Sequence, residues 1–112
     1  MEVHMSMRGK TLVIAVSGDI DHHCASEVKE KVDNAIERDN MKNIIFDFSK
    51  VSFMDSSGIG MIMGRYKLIE RRGGTLSICA MESGTKRIFD ISGLGKIIKT
   101  YDSVASAMSK IQ

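Results

Sequence analysis

Proline and tryptophan are absent from this 112-residue chain, cysteine occurs twice, and aromatic residues make up only 5%. The lack of proline excludes a proline-rich tail or linker. Cys24 and Cys79 are too few for a disulfide scaffold and are not spaced as metal ligands. They read as reduced thiols of a cytoplasmic protein. With no tryptophan and few aromatics, the core must be mostly aliphatic, with the nine methionines filling gaps. No apolar run approaches the roughly 20 residues of a membrane span. Met1–Arg8 lacks the apolar stretch of a secretory leader.

What remains suits one soluble α/β domain spanning residues 1–112. The chain is 43% hydrophobic and 27% charged, with a net charge of +2. A chain of this length buries enough surface for a core without covalent staples. Charge is uneven along it. Residues 1–50 carry seven basic and nine acidic side chains, and residues 51–112 carry nine and five. The C-terminal half therefore presents a mildly basic face. That face is not a nucleic-acid stripe: Lys86-Arg87 and Arg71-Arg72 have no interleaved aromatics for base stacking and read as solvated.

The pattern predicts the order ββαβαβαβα. Met1–Met7 alternates, with Val3, Met5 and Met7 on one side, as an edge strand does. Arg8-Gly9-Lys10 turns it into Thr11–Ser17, an almost continuous apolar run. Gly18–Asp21 breaks the run, and Asp21 is positioned to cap a helix from His22 to about Arg38, with Ala25, Val28, Val32, Ala35 and Ile36 facing inward. Asn43–Phe48 reads as the next strand, and Val51–Met54 as a short lead into Asp55-Ser56-Ser57-Gly58. A second helix then runs to about Arg72, stopped by Gly73-Gly74. Thr75–Ala80, a helix from Ser83 to Ile91, a weak strand over Lys96–Thr100 and a helix capped by Asp102 complete the chain. Strands joined through helices imply mainly parallel pairing in one mixed sheet of about five strands with four helices.

Few residues could carry chemistry. Asp55-Ser56-Ser57-Gly58 lies where a strand meets a helix, and two readings stand: plain capping, or an exposed serine able to take a phosphate at the positive end of the helix. A nucleophilic serine fails, since the glycine of G-x-S-x-G before the serine is missing. Asp21-His22-His23-Cys24 cannot close on one ion, because adjacent helical side chains diverge; it reads as a capped helix start or a partner-contact loop. No metal or cofactor is expected. Met61, Arg65, Leu68 and Arg72 form a second stripe on the second helix, either a further core contact or a docking surface. Ser92–Lys96 lacks the first glycine of a phosphate loop and the hydroxyl after its lysine.

These same residues resemble a known family. Val51–Gly60 (VSFMDSSGIG), Gly64-Arg65-Tyr66-Lys67, Gly18–His23 (GDIDHH) and Lys86–Leu94 (KRIFDISGL) are similar, in order, to the signatures of the anti-sigma factor antagonists, whose fold is the STAS domain. The resemblance is strongest to the sporulation antagonists of the anti-sigma F factor. It implies a protein-binding switch rather than an enzyme. The unphosphorylated form would bind a dimeric, nucleotide-bound anti-sigma factor that is also a serine kinase, and so release the sigma factor. Ser56, the first serine after Asp55, is expected both to cap the second helix and to be the phosphorylation site; phosphorylation there would end binding, and a serine phosphatase would restore it. Asp21, His22, His23, Asp55, Ser57 and Gly58 would lie at the contact, with Met61, Arg65, Leu68, Lys86 and Arg87 supplying docking surface. Neither nucleic acid nor membrane is an implied partner. The lack of a second apolar stripe in the sequence favours a monomer for the free chain. Asp19 and Ile59 replace a more usual glutamate and leucine. The related antagonist of a general stress anti-sigma factor, and a STAS module that binds without phosphorylation, are the alternatives.

Overall fold

Hydrophobic alternation along the central strands decides how the layers stack. In the computed structural model, which describes residues 1–111, five strands form one sheet in the order β1-β2-β3-β4-β5. They are β1 (Glu2–Arg8), β2 (Thr11–Ile20), β3 (Asn43–Met54), β4 (Leu76–Cys79) and β5 (Lys99–Tyr101). β1 pairs antiparallel with β2, and the other neighbours pair in parallel. Four helices alternate with them: α1 (His22–Asp39), α2 (Ser56–Arg71), α3 (Ser83–Ile91) and α4 (Val104–Ser109). The ββαβαβαβα order and the mixed sheet match the expectation from sequence.

One face of the sheet presents Leu12, Ile14, Val16, Ile44, Phe46, Phe48, Leu76 and Ile78. Against it pack the inward residues of α1, α2 and α3, including Val28, Val32, Ile62, Ile69 and Phe89. The opposite face carries a smaller core under α4: Val13, Ile45 and Cys79 are buried with Ala107, and Tyr101, Val104, Met108 and Ile111 are half-buried around them. Burial pushes the Cys79 thiol up to about 11, with the Asp47 carboxylate adding to the effect. Cys24 is also buried and its thiol is raised, first by burial and then by Asp21. Both thiols are therefore protonated at neutral pH.

Several boundaries differ from the sequence reading, each for a local reason. β2 continues to Ile20 because Gly18, at φ +100°, absorbs a shift in register against β3. β3 is one strand of 12 residues rather than two pieces. The weak last strand is split: Leu94–Lys96 form a 3-10 turn, and only Lys99–Tyr101 pair with β4. α4 is capped by Ser103, whose hydroxyl accepts from the Ser106 N–H at 3.1 Å, and not by Asp102. Arg72 is not simply solvated; its guanidinium donates to the Met41 carbonyl at 3.1 Å and to Asn40 Oδ1 at 2.8 Å, tying the end of α2 to the end of α1.

At the opposite end of the sheet from the α1, α2 and α3 N-termini, the buried Asn43 amide joins three strands. Its nitrogen donates to Thr11 Oγ1 at 3.3 Å, and its oxygen accepts from the Thr75 N–H at 3.0 Å. Gly74 passes so close that a Cβ there would lie 1.7 Å from the Lys42 carbonyl oxygen. Gly60, by contrast, has open space around its missing Cβ. Gly74→Ala should therefore lower unfolding free energy by about 2 kcal/mol or more, since backbone must move. Gly60→Ala should raise it by about 0.5–1 kcal/mol, by restricting the unfolded helix. Denaturant melts of the two variants check the opposite signs.

Candidate functional site

β2 and β3 run side by side and stop at the same level, Ile20 opposite Met54. The residues that follow, Asp21 and Asp55, are each the N-cap of the next helix. Asp21 Oδ1 accepts from the Cys24 N–H at 2.9 Å. Asp55 Oδ1 accepts from the Ser57 N–H at 2.9 Å and the Gly58 N–H at 3.4 Å. The Asp55 N–H in turn donates to the Ile20 carbonyl at 3.3 Å, and the Ser52 hydroxyl donates to Asp19 Oδ1 at 2.9 Å. Two helix N-termini thus open side by side on one sheet edge, latched to each other through the strands.

This arrangement assigns separate roles to Asp55 and Ser56. Asp55 is the cap. Ser56 is the first residue inside α2, exposed, with its hydroxyl in no hydrogen bond among the described residues. The expectation that Ser56 itself caps the helix is corrected: a carboxylate one residue earlier occupies that position and satisfies the first free N–H groups. Ser57 is half-buried and faces a shallow groove between α1 and α2, lined also by His22, Ser26, Lys29, Gly60 and Met61. Gly58 is buried, and a Cβ there would meet Met54 Cγ at 2.4 Å and Ile20 Cγ2 at 3.0 Å. Glycine at this position lets the first turn of α2 sit directly on the ends of both strands.

His22 and His23 are exposed on the first turn of α1, beside this edge. Among the described residues no group of three metal-ligating side chains forms around them. α3 also begins after the C-terminal end of its strand, β4. Lys86 and Arg87 are exposed on it, Lys86 paired with Asp90 at 3.2 Å.

The second stripe of α2 is not an exposed docking surface. Met61 and Arg65 are only 5% and 7% exposed. Arg65 Nε lies 2.8 Å from Asp33 Oδ1 of α1, and Arg65 also donates to the Met61 carbonyl at 3.4 Å. Leu68 is half-buried against the main core, roughly 18 Å along the helix from Ser56. These three residues bind α2 to its own fold, because α2 must cover both the sheet and α1. Along the face of α2 turned to the sheet, Ile62 and Ile69 are fully buried, whereas Ile59 and Tyr66 are half-buried. Sequence reasoning missed Phe53, 47% exposed on the strand that leads to Ser56. Strand alternation gave no signal for it, since Phe53 lies two residues after buried Val51 and would be expected on the same face.

A STAS domain model matches residues 2–107. The chain belongs to the STAS domain family. Across all 112 residues it is 36% identical to a Paenibacillus polymyxa protein named anti-sigma F factor antagonist, covering 96% of that relative. It is 30% identical over 98 residues to the anti-sigma-B factor antagonist of Bacillus subtilis, covering 88% of each chain. Among solved structures, it resembles the anti-sigma factor antagonist SpoIIAA in its unphosphorylated form, at 29% identity and a TM-score of 0.88, over 98% of this chain and 96% of that one. It also resembles the Bacillus cell fate determinant SpoIIAA in the phosphorylated form, at 28% identity and 0.80, over 99% and 100%.

The division of roles predicts different stabilities. Asp55→Ala should cost about 1 kcal/mol, the usual price of a lost N-cap, and Ser56→Ala almost nothing. Thermal or denaturant unfolding of the two variants separates them; equal losses would contradict the assignment.

Proposed function

We propose that this STAS domain is an anti-sigma factor antagonist of the sporulation type, acting in the cytoplasm, and that the Ser56 hydroxyl is its switch. The observation that carries the reading is the position of Ser56: exposed, unbonded, and first in a 16-residue helix whose cap is supplied by its neighbour. A phosphate there adds about −1.5 to −2 charges beside the positive end of α2 and breaks no hydrogen bond that the fold uses. Asp55 opposes the new charge, but its oxygen is already committed to two backbone N–H groups. The modification therefore alters the surface and leaves the fold nearly untouched. Ser57 is the poorer acceptor, being half-buried at the groove.

Two further findings support the reading. A relative of the same fold has been solved both with and without phosphate. A relative named anti-sigma F factor antagonist matches this chain over its full length, and a second so named matches over 77% of it. The contact surface of the unmodified form is the edge carrying Asp21, His22, His23, Asp55 and Ser56–Gly58, with Lys86 and Arg87 on α3. Its partner is a dimeric, nucleotide-bound anti-sigma factor, which also phosphorylates Ser56; a serine phosphatase reverses the step. Added charge meets the nucleotide-bearing surface, and binding is lost through repulsion and bulk. The chain itself performs no catalysis in this scheme.

Isothermal calorimetry against an anti-sigma F factor with bound nucleotide tests the switch. Ser56→Ala should bind within about threefold of the unmodified chain. Ser56→Asp should bind at least about tenfold more weakly, a difference of roughly 1.4 kcal/mol. Equal affinity of Ser56→Asp and wild type would sink the proposal.

A further inference from the structure

β1 is the exposed edge of the sheet, and its sequence is complementary to itself. All seven residues are exposed except half-buried Val3. The strand pairs with β2 along its full length, Glu2 opposite Ser17 through Arg8 opposite Thr11, with no bulge. It contains no proline and no lysine. Natural edges are usually blunted by one of these devices, or by being short. The other edge, β5, is blunted: it is three residues long. β1 is long and regular, and among the described residues no strand pairs with its outer row of N–H and C=O groups.

Of the exposed large apolar side chains, Met1, Met5 and Met7 lie on or beside this strand, and Phe53, Ile91 and Ile97 lie elsewhere. Met5 is 37% and Met7 56% exposed. Both project from the same face as Val3, since Val3, Met5 and Met7 stand opposite Val16, Ile14 and Leu12, which point into the main core. The opposite face of β1 carries Glu2, His4, Ser6 and Arg8. Glu2 lies 3.5 Å from His4, and Arg8 has no ion pair among the described residues.

We propose that a second copy of this chain docks on the β1 edge, forming a symmetric dimer in which the two β1 strands pair antiparallel about a two-fold axis through Met5. The register follows from the sequence. With Met5 opposite Met5, Glu2 faces the partner's Arg8 at both ends, which pairs opposite charges. Val3 then faces the partner's Met7, and His4 faces Ser6. The apolar row of β1 becomes a continuous strip across the dimer, extending the core face of the sheet. A shift of two residues loses both charge pairs, and a parallel arrangement places Glu2 against Glu2 and Arg8 against Arg8. Antiparallel pairing about Met5 is the register in which every residue meets a compatible one. The interface is isologous, as a two-fold dimer requires. It is also small, so the association is weak and concentration-dependent. The monomer expected from sequence rested on the lack of a second apolar stripe; the row of Val3, Met5 and Met7 on β1 supplies one. The Ser56 edge lies at the ends of β2 and β3, not along the outer side of β1, and stays open in the dimer.

Sedimentation velocity of the full chain, from about 10 μM to about 1 mM, tests the proposal. Wild type should move from monomer to dimer across that range. Met5→Lys, which sets two ammonium groups together at the axis, should remain monomeric with an unchanged thermal melt. Glu2→Arg alone and Arg8→Glu alone should each weaken the dimer by about tenfold, since each places like charges opposite at two symmetric points. The double exchange, Glu2→Arg with Arg8→Glu, should restore it. A wild type that stays monomeric throughout, or a dimer that ignores both single reversals, or a double exchange that fails to recover, would each overturn the register.

Discussion

Everything at the candidate site depends on the parallel pairing of β2 with β3 and on its ending at Ile20 and Met54. Two neighbouring parallel strands that stop at one level must hand the chain to two helices at one level. Each helix start leaves N–H groups without partners, and an aspartate immediately after each strand supplies the acceptor. Asp21 and Asp55 perform this identical task one strand apart. The next residue in the second case is then pushed outward with its hydroxyl free. The Ser56 surface is a consequence of strand register, and a slip of one residue in β2 against β3 would bury it or turn it away.

The same economy separates stability from regulation. The fold uses the Asp55 carboxylate, the absence of a side chain at Gly58, and the Arg65–Asp33 pair that clamps α2 to α1. It does not use the Ser56 hydroxyl. A switch placed on a hydroxyl with no structural work can change the surface charge without changing the free energy of folding by much. Had Ser56 been the cap, phosphorylation would have removed a structural acceptor and coupled regulation to unfolding.

Most of this was readable in the residues. The three-four spacing of Ala25, Val28, Val32, Ala35 and Ile36 placed α1, and every one of those side chains is buried. Asp21 was identified as a cap from its type and position alone. What escaped sequence reasoning was set by neighbours distant in the chain. Met61, Arg65 and Leu68 left a core contact and a docking surface both open, because apolar residues mixed with arginine suit either; Asp33, 32 residues earlier, draws Arg65 inward, and no local pattern reveals it. The split of β3 into two pieces came from exposed Ser49 and Lys50, but strand pairing with β2 continues past them. Gly18 signals a chain break in most sequences, yet here it is a bulge inside a strand. The motif stretches were specific enough to name the STAS family, while the exact roles of Asp55 and Ser56 needed the hydrogen bonds.

The central claim is that one hydroxyl, Ser56, receives the modification. The most direct measurement is the intact mass of the chain after incubation with an anti-sigma F factor and ATP, followed by fragmentation to place any added mass. The account predicts a single phosphate, located at Ser56, with the circular dichroism spectrum unchanged. A phosphate at Ser57, or no added mass while the same kinase modifies a control substrate, would contradict it.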